Sequence, residues 1–227
     1  MGFDGFTAAT STFFAGLAAN NNRNWFEAHR ADYDAHVMAR AKTFVAELAP
    51  ALADIDARLV AEPRLNGSIR RLNRDVRFSK DKTPYTPHLH LIFWAGDHPL
   101  RSPGHHLVIG GERVGFGAGH WGFDKQGLER YRAAVTAPGG ADQLMSILGN
   151  VEAAGVGRLD EPALKRVPAG YDADGPAAAL LRHKGLVVRE DVIGGSELFS
   201  AGAVAFTAGL VKKAHPLLAW LLANVYD

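Results

Sequence analysis

The middle of the chain carries its most informative stretch, RRLNRDVRFSKDKTPY, which occupies residues 70–85. From Arg64 to Tyr85 there are seven Lys or Arg and two Asp, a local net charge of +5. The whole protein has a net charge of only +1, which leaves −4 for the remainder. A positive charge concentrated on a slightly acidic body attracts anions and raises their local concentration. The stretch therefore predicts a negatively charged ligand but no particular reaction.

The same stretch predicts a β-hairpin at the centre of the fold. Apolar and polar residues alternate from Ile69 to Phe78 and again from His88 to Trp94, as is typical of strands. Residues 79–84 fit the turn before the second strand, because Asp81 favours an Asx turn and Pro84 keeps the preceding residue extended.

Alternate side chains of a strand point to opposite faces of the sheet. Arg74 then lies on the apolar face together with Arg70, and Arg is rarely buried without a partner. We therefore expect a carboxylate, carbonyl groups or a bound anion at Arg74. On the other face Asp75 lies two residues from both Arg71 and Arg77, so it can hold either guanidinium group.

The stretch combines rigid guanidinium groups, flexible ammonium groups and hydroxyl donors, which together suit phosphate or carboxylate binding. We predict an anion-binding site formed by Arg71, Arg74, Asp75, Arg77, Ser79, Lys80, Lys82 and Tyr85. The alternative is a purely structural network of ion pairs with solvated lysines. The Gly-x-x-x-x-Gly-Lys spacing of a nucleoside-triphosphate loop is absent, so that class of enzyme is not favoured.

The rest of the chain predicts an α+β fold in a single domain, residues 1–227, with a central antiparallel sheet flanked by helices from both ends of the chain. Apolar residues spaced by three or four predict a helical N-terminal part over 7–60 and a helical C-terminal part over 124–227. Strand patterns dominate residues 64–120, where a hairpin turns at Gly110-Gly111.

Turn and capping residues predict several boundaries. Asn22 is expected to cap a long second helix, which Pro50 should end or kink. A short helix is expected over 177–183 and a strand over 186–192. His215-Pro216 is expected to open the last helix, because Pro is common in the first helical turn.

The composition narrows the class of protein. The chain has no cysteine, which excludes disulfides, thiolate metal sites and cysteine nucleophiles. No run approaches the 18 apolar residues of a spanning helix, and the first residues lack the pattern of a secretory signal. We expect a cytoplasmic protein with no membrane partner.

Four blocks of the sequence resemble one known family. They are Asn21-Asn22-x-x-Trp25-Phe26, Arg74-Asp75-x-Arg77-Phe78-Ser79-Lys80-Asp81-Lys82-x-Pro84-Tyr85, Leu180-Leu181-Arg182-x-Lys184-Gly185 and Pro216-Leu217-Leu218-x-Trp220-Leu221. Over nearly its whole length the chain resembles a bacterial and fungal family, domain of unknown function 2461. The resemblance implies a single α+β domain, and it does not imply any particular activity. Thr86 stands where the family usually has Lys, so any role of that Lys does not carry over.

Four residues of these blocks are candidates for a layer that surrounds the anion site: Asn21, Asn22, Trp25 and Lys184. Trp25 also fits the core face of the second helix together with Phe26 and Tyr33, and packing is the interpretation that we adopt for it.

Histidines form the other group of candidate ligands. His88 and His90 share one face of a strand, and His105, His106 and His120 come from neighbouring segments. Such residues bind Zn or Fe when a third His or a carboxylate joins them. No carboxylate stands at a suitable offset, so we predict neither a metal nor another cofactor.

Two further motifs are too weak to support an activity. Gly115-x-Gly117-x-Gly119 lacks the dinucleotide-binding spacing and indicates a bulge or close backbone packing. No Gly-x-Ser-x-Gly elbow is present, and Ser196 fits a helix cap instead.

The sequence favours binding of, or enzymatic action on, a phosphorylated or other anionic small molecule at the basic hairpin. A nucleic-acid-associated protein that uses the same patch on phosphates is the alternative, and a structural domain without a ligand is another. The nucleic-acid alternative is less favoured because the net charge is near zero and only Phe78 and Tyr85 offer stacking surfaces. The sequence predicts neither a particular reaction nor an oligomeric state.

Overall fold

Strands from the middle of the chain form an antiparallel sheet in the computed structural model, which describes residues 2–191 and 195–226. The strands in this described part are β1 Leu59–Val60, β2 His88–Ala95, β3 Gly104–Gly110, β4 Val114–His120, β5 Arg158–Leu159 and β6 Leu186–Glu190. They form one sheet in the order β1-β2-β3-β4-β6-β5. The predicted α+β class and the antiparallel sheet are confirmed.

Helices precede and follow this sheet along the chain, as predicted. They are α1 Ala8–Ala19, α2 Arg23–Ala28, α3 Arg30–Asp32, α4 Ala39–Ile55, α5 Lys125–Thr136, α6 Gly140–Ala153 and α7 Ala203–Leu221. A π-helical stretch, Tyr33–Met38, joins α3 to α4, and Asn22 caps α2 by accepting from the Trp25 N–H at 3.0 Å. No helix of the described residues is long and apolar enough to cross a membrane.

The chain forms two compact units. The first unit comprises Met1–Phe93, His106–Gly115 and Asp191–Gly209, and the second comprises Trp94–His105, Phe116–Glu190 and Leu210–Asp227. Both units therefore draw on separate parts of the sequence, so each core depends on residues that are distant along the chain.

Aromatic rings fill much of the core of the first unit. Phe3, Phe6 and Phe44 lie with their ring centroids 5.2–5.3 Å apart. Phe13 lies 5.6 Å from Tyr33, and both rings are buried. Burying a Phe side chain contributes roughly 1.5–3 kcal/mol, so this cluster anchors the first helices.

The second unit packs around a buried tyrosine. Tyr131 has no exposed surface, and its hydroxyl donates to the Leu180 carbonyl at 2.8 Å. The edge of Trp220 meets the Tyr131 ring at a centroid distance of 6.3 Å. Both polar atoms of this aromatic pair find acceptors, since Trp220 Nε1 donates to Gln143 at 3.3 Å.

Two prolines lie inside helices that they were expected to interrupt or open. Pro50 lies within α4, so the helix does not end there, and the alternative of a kink stays a prediction. Pro216 lies within α7 instead of starting a new helix, so that predicted boundary is wrong. A helical proline removes the hydrogen bond to the carbonyl four residues earlier. Ala46 and Lys212, at those positions, are exposed like the prolines themselves, so solvent can satisfy the freed carbonyl groups.

The predicted strand from Ile69 to Phe78 is wrong. This segment pairs with its neighbour only at isolated positions, Ile69 with Leu91 and Asn73 with Tyr85. The two pairs lie four residues apart along the first arm and six residues apart along the second, so the register shifts by two residues between them. The second arm contains Pro84 and Pro87, which have no N–H to donate, and this prevents a continuous ladder.

The C-terminal half differs from prediction in two smaller ways. The helix expected over 177–183 is reduced to a single 3-10 turn, Leu180–Arg182. The strand expected over 186–192 ends at Glu190 in the described residues, and Val192 lies outside them.

The glycine pattern in β4 reflects close backbone packing, as predicted. Gly119 pairs with Val187 of β6 and has a φ of +128°. A Cβ atom at Gly119 would lie 1.9 Å from the Leu186 carbonyl oxygen, and one at Gly117 would lie 3.1 Å from that of Val188. Only glycine allows these two strands to approach so closely at Gly119.

His105 of β3 is a deeply buried ionisable side chain of the second unit. It is fully buried in β3 against the ring of Phe116, and neither ring nitrogen has a hydrogen-bond partner within the described residues. Burial, with the nearby charge of His215, lowers the pKa of His105 from 6.5 to about 3. The folded protein therefore holds this imidazole neutral.

We expect His105 to make the protein less stable in acid. The unfolded chain binds a proton near pH 6.5 and the folded chain only near pH 3, so stability is lost as the pH falls through this window, at up to about 1.4 kcal/mol per pH unit. Between pH 7.5 and pH 5, urea unfolding of His105→Leu should show a smaller loss of stability than the wild type, by about 2 kcal/mol. An equal loss in both proteins would show that His105 protonates normally when folded.

Candidate functional site

The basic segment, residues 70–82, lies in the first unit and leads into a second arm that ends at β2. Main-chain bonds join the two arms, from Arg74 N–H to Pro84 O at 2.9 Å and from Thr86 N–H to Leu72 O at 2.8 Å. The second arm is held in turn by Asn21, whose side chain accepts from the Tyr85 N–H at 3.0 Å and donates to the Tyr85 carbonyl at 2.8 Å.

Arg74 closes the base of the loop. Its Nη1 donates to Asp81 Oδ2 at 2.6 Å, to the Thr83 carbonyl at 3.0 Å and to the Thr83 hydroxyl. Hydrogen bonds from the Thr83 N–H and hydroxyl, and the Arg74 guanidinium, lower the pKa of Asp81 to about 2. Arg74 is half-buried, and its Nη1 already donates to protein groups.

Arg77 and Lys82 are also engaged within the loop. Arg77 holds Asp75 through Nε at 2.9 Å and Nη2 at 2.7 Å, and this guanidinium lowers the pKa of the Asp75 carboxyl. Lys82 Nζ donates to the Val76 carbonyl at 2.9 Å. Three of the predicted anion ligands therefore contribute to the shape of the loop.

Three cations of the basic segment remain without such partners. Within the described part of the chain, the side chains of Arg70, Arg71 and Lys80 form no hydrogen bond or ion pair with the protein. Arg71 and Lys80 are exposed, whereas Arg70 is half-buried. Burial, together with the charge of Arg71, lowers the pKa of the Arg70 guanidinium.

Arg70 lies beside a row of histidines. Its N–H donates to the His90 carbonyl at 2.9 Å, which makes the two residues cross-strand neighbours. His90 Nε2 and His106 Nδ1 are 2.9 Å apart, and the ring of His88 lies 6.5 Å from that of His90. We call His88, His90 and His106 the imidazole row.

Two members of the imidazole row, His88 and His90, are held in their neutral form at neutral pH. Burial, then the charges of His88 and Arg70, lower the pKa of His90 to about 4. Burial and the charge of Arg113 also lower the pKa of His88. Neutral imidazoles offer both a donor and an acceptor nitrogen, so the row can bind an anion or accept a proton.

The structure does not bring all five histidines together. His105 is buried in the second unit, where His120 bonds the Tyr226 hydroxyl. Among residues 2–191 and 195–226, no three His, Asp or Glu residues form a group that could hold a metal ion.

A groove of about 770 Å³ runs beside His88 in the first unit. Its walls combine the alanines of α1 with the hairpin turn after β3, and its lining includes Ala15, Ala18, Ala19, Gly110, Gly111, Glu112 and Arg113. Arg113 forms a long ion pair of 3.5 Å with Asp191. The groove has the size of an ordinary small-molecule pocket, about 300–1,000 Å³.

The candidates for a surrounding layer have structural contacts. Asn21 and Asn22 fix the Tyr85 main chain and the start of α2, as described above. Trp25 stacks on His29 with ring centroids 3.9 Å apart, and buried Tyr85 stacks on Phe26 at 4.5 Å. Lys184 is exposed in the second unit. Nothing in these contacts tests a role in anion binding, so that role stays a prediction.

Arg70 and Phe78 of the basic segment were not among the predicted anion ligands. Arg70 lies beside the imidazole row, and the parity of the sequence already placed it on the apolar face with Arg74. Phe78, which an alternating strand would place on the same apolar face as Arg74, is 95% exposed instead. The hairpin interpretation failed at this point, because the segment turns away from strand pairing after Asn73.

The chain matches a known family over most of its length. The family described as conserved hypothetical protein (DUF2461) matches residues 9–220. No curated protein and no solved structure matches the chain. The description of the family names no ligand or reaction, so function has to be argued from the residues.

We expect Arg74 and Arg77 to differ in their effect on stability. Arg74→Ala removes two part-buried hydrogen bonds to Thr83 and an exposed one to Asp81, which should cost about 1–3 kcal/mol. Arg77→Ala removes an exposed ion pair that solvent screens, so it should cost clearly less. Chemical denaturation of the two variants measures the difference, and equal costs would contradict the assignment of Arg74 as the closing contact.

Proposed function

The chain belongs to the family of conserved hypothetical proteins DUF2461, and we propose that it binds a phosphorylated or otherwise anionic small molecule beside Arg70. The observation that carries this proposal is the half-buried Arg70 guanidinium, which has no acidic partner in the described residues although Arg74 and Arg77 each have one. Arg71 is adjacent and adds a second positive charge.

An anion would remove an unfavourable arrangement. Partial burial of a guanidinium group costs solvation energy, and a neighbouring like charge adds repulsion. Hydrogen bonds that involve a charged group contribute about 1.5–3 kcal/mol each, and a guanidinium group can make two of them to one phosphate or carboxylate. A bound anion therefore stabilises the half-buried Arg70 more than it would stabilise an exposed arginine, which water already solvates.

The surroundings favour a small ligand. The imidazole row provides neutral hydrogen-bonding groups next to the fixed charge of Arg70, and the groove of about 770 Å³ beside His88 offers room for an uncharged part of the ligand. The alanines of α1 form an apolar wall for that part. A neutral imidazole next to a bound oxyanion also fits a general base, so enzymatic action on the ligand is compatible with the same residues.

We expect sulfate, phosphate or a carboxylate to stabilise the folded protein through Arg70. A ligand at about 100 times its Kd raises the free energy of unfolding by about 2.7 kcal/mol, which a thermal melt detects. Arg70→Ala should abolish the shift, whereas Arg77→Ala, the matched control whose guanidinium is already paired with Asp75, should retain it.

Comparing each variant with and without anion separates binding from intrinsic stability. The proposal is wrong if no anion in the panel moves the melting temperature of the wild type. It is also wrong if Arg70→Ala keeps the full shift, because the anion would then bind elsewhere.

We also expect anion binding to strengthen as the pH falls from about 7 to about 5. A bound anion favours the imidazolium form of His90 and raises its pKa above the value of about 4 in the free protein, so binding is coupled to proton uptake. Sulfate is the suitable probe because its own charge is constant in this range. Calorimetry in buffers of different ionisation enthalpy should detect the uptake in the wild type and a smaller uptake in His90→Gln; equal uptake would place His90 away from the anion.

A further inference from the structure

Phe78 is presented to solvent at the tip of the basic segment. Its side chain is 95% exposed, more than any other large apolar side chain in the described residues. The next most exposed, Leu100 and Trp121, are each 58% exposed. Single exposed apolar side chains are common on protein surfaces, so the position of Phe78 is informative only together with the groups around it.

The tip that carries Phe78 is braced. Lys82 Nζ and the Ser79 N–H both donate to the Val76 carbonyl, at 2.9 and 3.3 Å. Arg77 is fixed by its two hydrogen bonds to Asp75. The ring is therefore held outward by a defined loop conformation.

The ring also lies within a positively charged segment of the sequence. The basic segment contains six Lys or Arg and two Asp, a net charge of +4. The guanidinium carbon of Arg77 lies 5.9 Å from the centroid of the Phe78 ring, within the range of a cation–π contact. Arg77 can cover only one face of the ring, which leaves the other face available to a planar group.

We infer that this tip binds single-stranded nucleic acid, with one base stacked on Phe78 and with Lys80 contacting a phosphate. Bases stack on exposed aromatic rings while nearby cations follow the backbone, which is the usual arrangement in proteins that bind single strands without sequence preference. Bases in a duplex are already stacked on each other, so a duplex offers only its phosphates to this tip. Binding depends on Phe78 and not on Arg70, so it is independent of the small-anion site.

A single-stranded nucleic acid fits the tip better than an anionic membrane does. Phe78 is the only large apolar side chain of residues 76–82 that is strongly exposed, and Asp75 and Asp81 lie close to it in sequence. A continuous negative surface would repel both carboxylates, whereas separate phosphates can contact the cations between them. Stable attachment to a membrane also needs more than one such weak anchor.

The test measures binding of a fluorescein-labelled oligothymidylate of about 12 nucleotides, a length within the site size of one small binding domain. Fluorescence anisotropy at low salt should show binding by the wild type and binding weakened about 10-fold or more by Phe78→Ala. Phe78→Trp should retain binding, and Phe78→Leu should lose it, because leucine keeps an apolar contact but has no ring to stack.

Trp121→Ala is the matched control. Trp121 is also exposed and also lies under a guanidinium group, that of Arg189 at 5.7 Å, but it lies outside the basic segment. This variant should bind like the wild type. Lys80→Ala should reduce the dependence of log affinity on log salt concentration by about 0.7, as expected for one phosphate contact, whereas Lys125→Ala should leave it unchanged.

Several results would overturn the inference. They are absence of oligothymidylate binding at low salt, equal binding by wild type and Phe78→Ala, full binding by Phe78→Leu, or equal affinity for a duplex of the same length. Association with phosphatidylserine vesicles that depends on Phe78, without binding of the oligonucleotide, would assign the tip to a membrane instead.

Discussion

The basic segment depends on the pairing of one side-chain amide with the main chain of one residue. Asn21 accepts from the Tyr85 N–H and donates to the Tyr85 carbonyl, and 64 residues separate the two. Each such hydrogen bond contributes about 0.5–1.5 kcal/mol, and the buried ring of Tyr85 adds its stacking on Phe26. Because Asn22 caps the next helix, the turn between α1 and α2 fixes a helix and a loop at the same time. The pairing of Asn73 with Tyr85 then transfers this anchor to the first arm.

On the face that carries Arg70, burial removes the charge of a histidine but not the charge of the arginine. It lowers the pKa of His90 to about 4 and so removes the charge of that imidazole at neutral pH. It lowers the pKa of Arg70 as well, but a guanidinium group is basic enough to stay charged at neutral pH. The face thus presents one fixed charge among neutral hydrogen-bonding groups, which suits a small anion. The tip around Phe78 carries solvated charges instead, which suits separate phosphates along a chain.

Features of the fold that depend on a few adjacent residues could be predicted from the sequence. The cap at Asn22 and the hairpin at Gly110-Gly111 are of this kind, because their residue types act on their own backbone. Pro50 could not be interpreted in this way. Its tolerance inside α4 depends on whether the carbonyl of Ala46 faces solvent, and that is decided by which side of the helix packs against the core.

The arginines of the basic segment show why the sequence alone could not identify the residues that remain for a ligand. Asp75 stands two residues from both Arg71 and Arg77, so spacing alone leaves its partner open. Its Oδ1 also accepts the Arg77 N–H at 3.2 Å, and this local turn brings the Arg77 guanidinium onto the same carboxylate. Arg71 is thereby left beside Arg70. A single side-chain-to-backbone hydrogen bond thus decides which arginine shapes the loop and which two remain for a ligand.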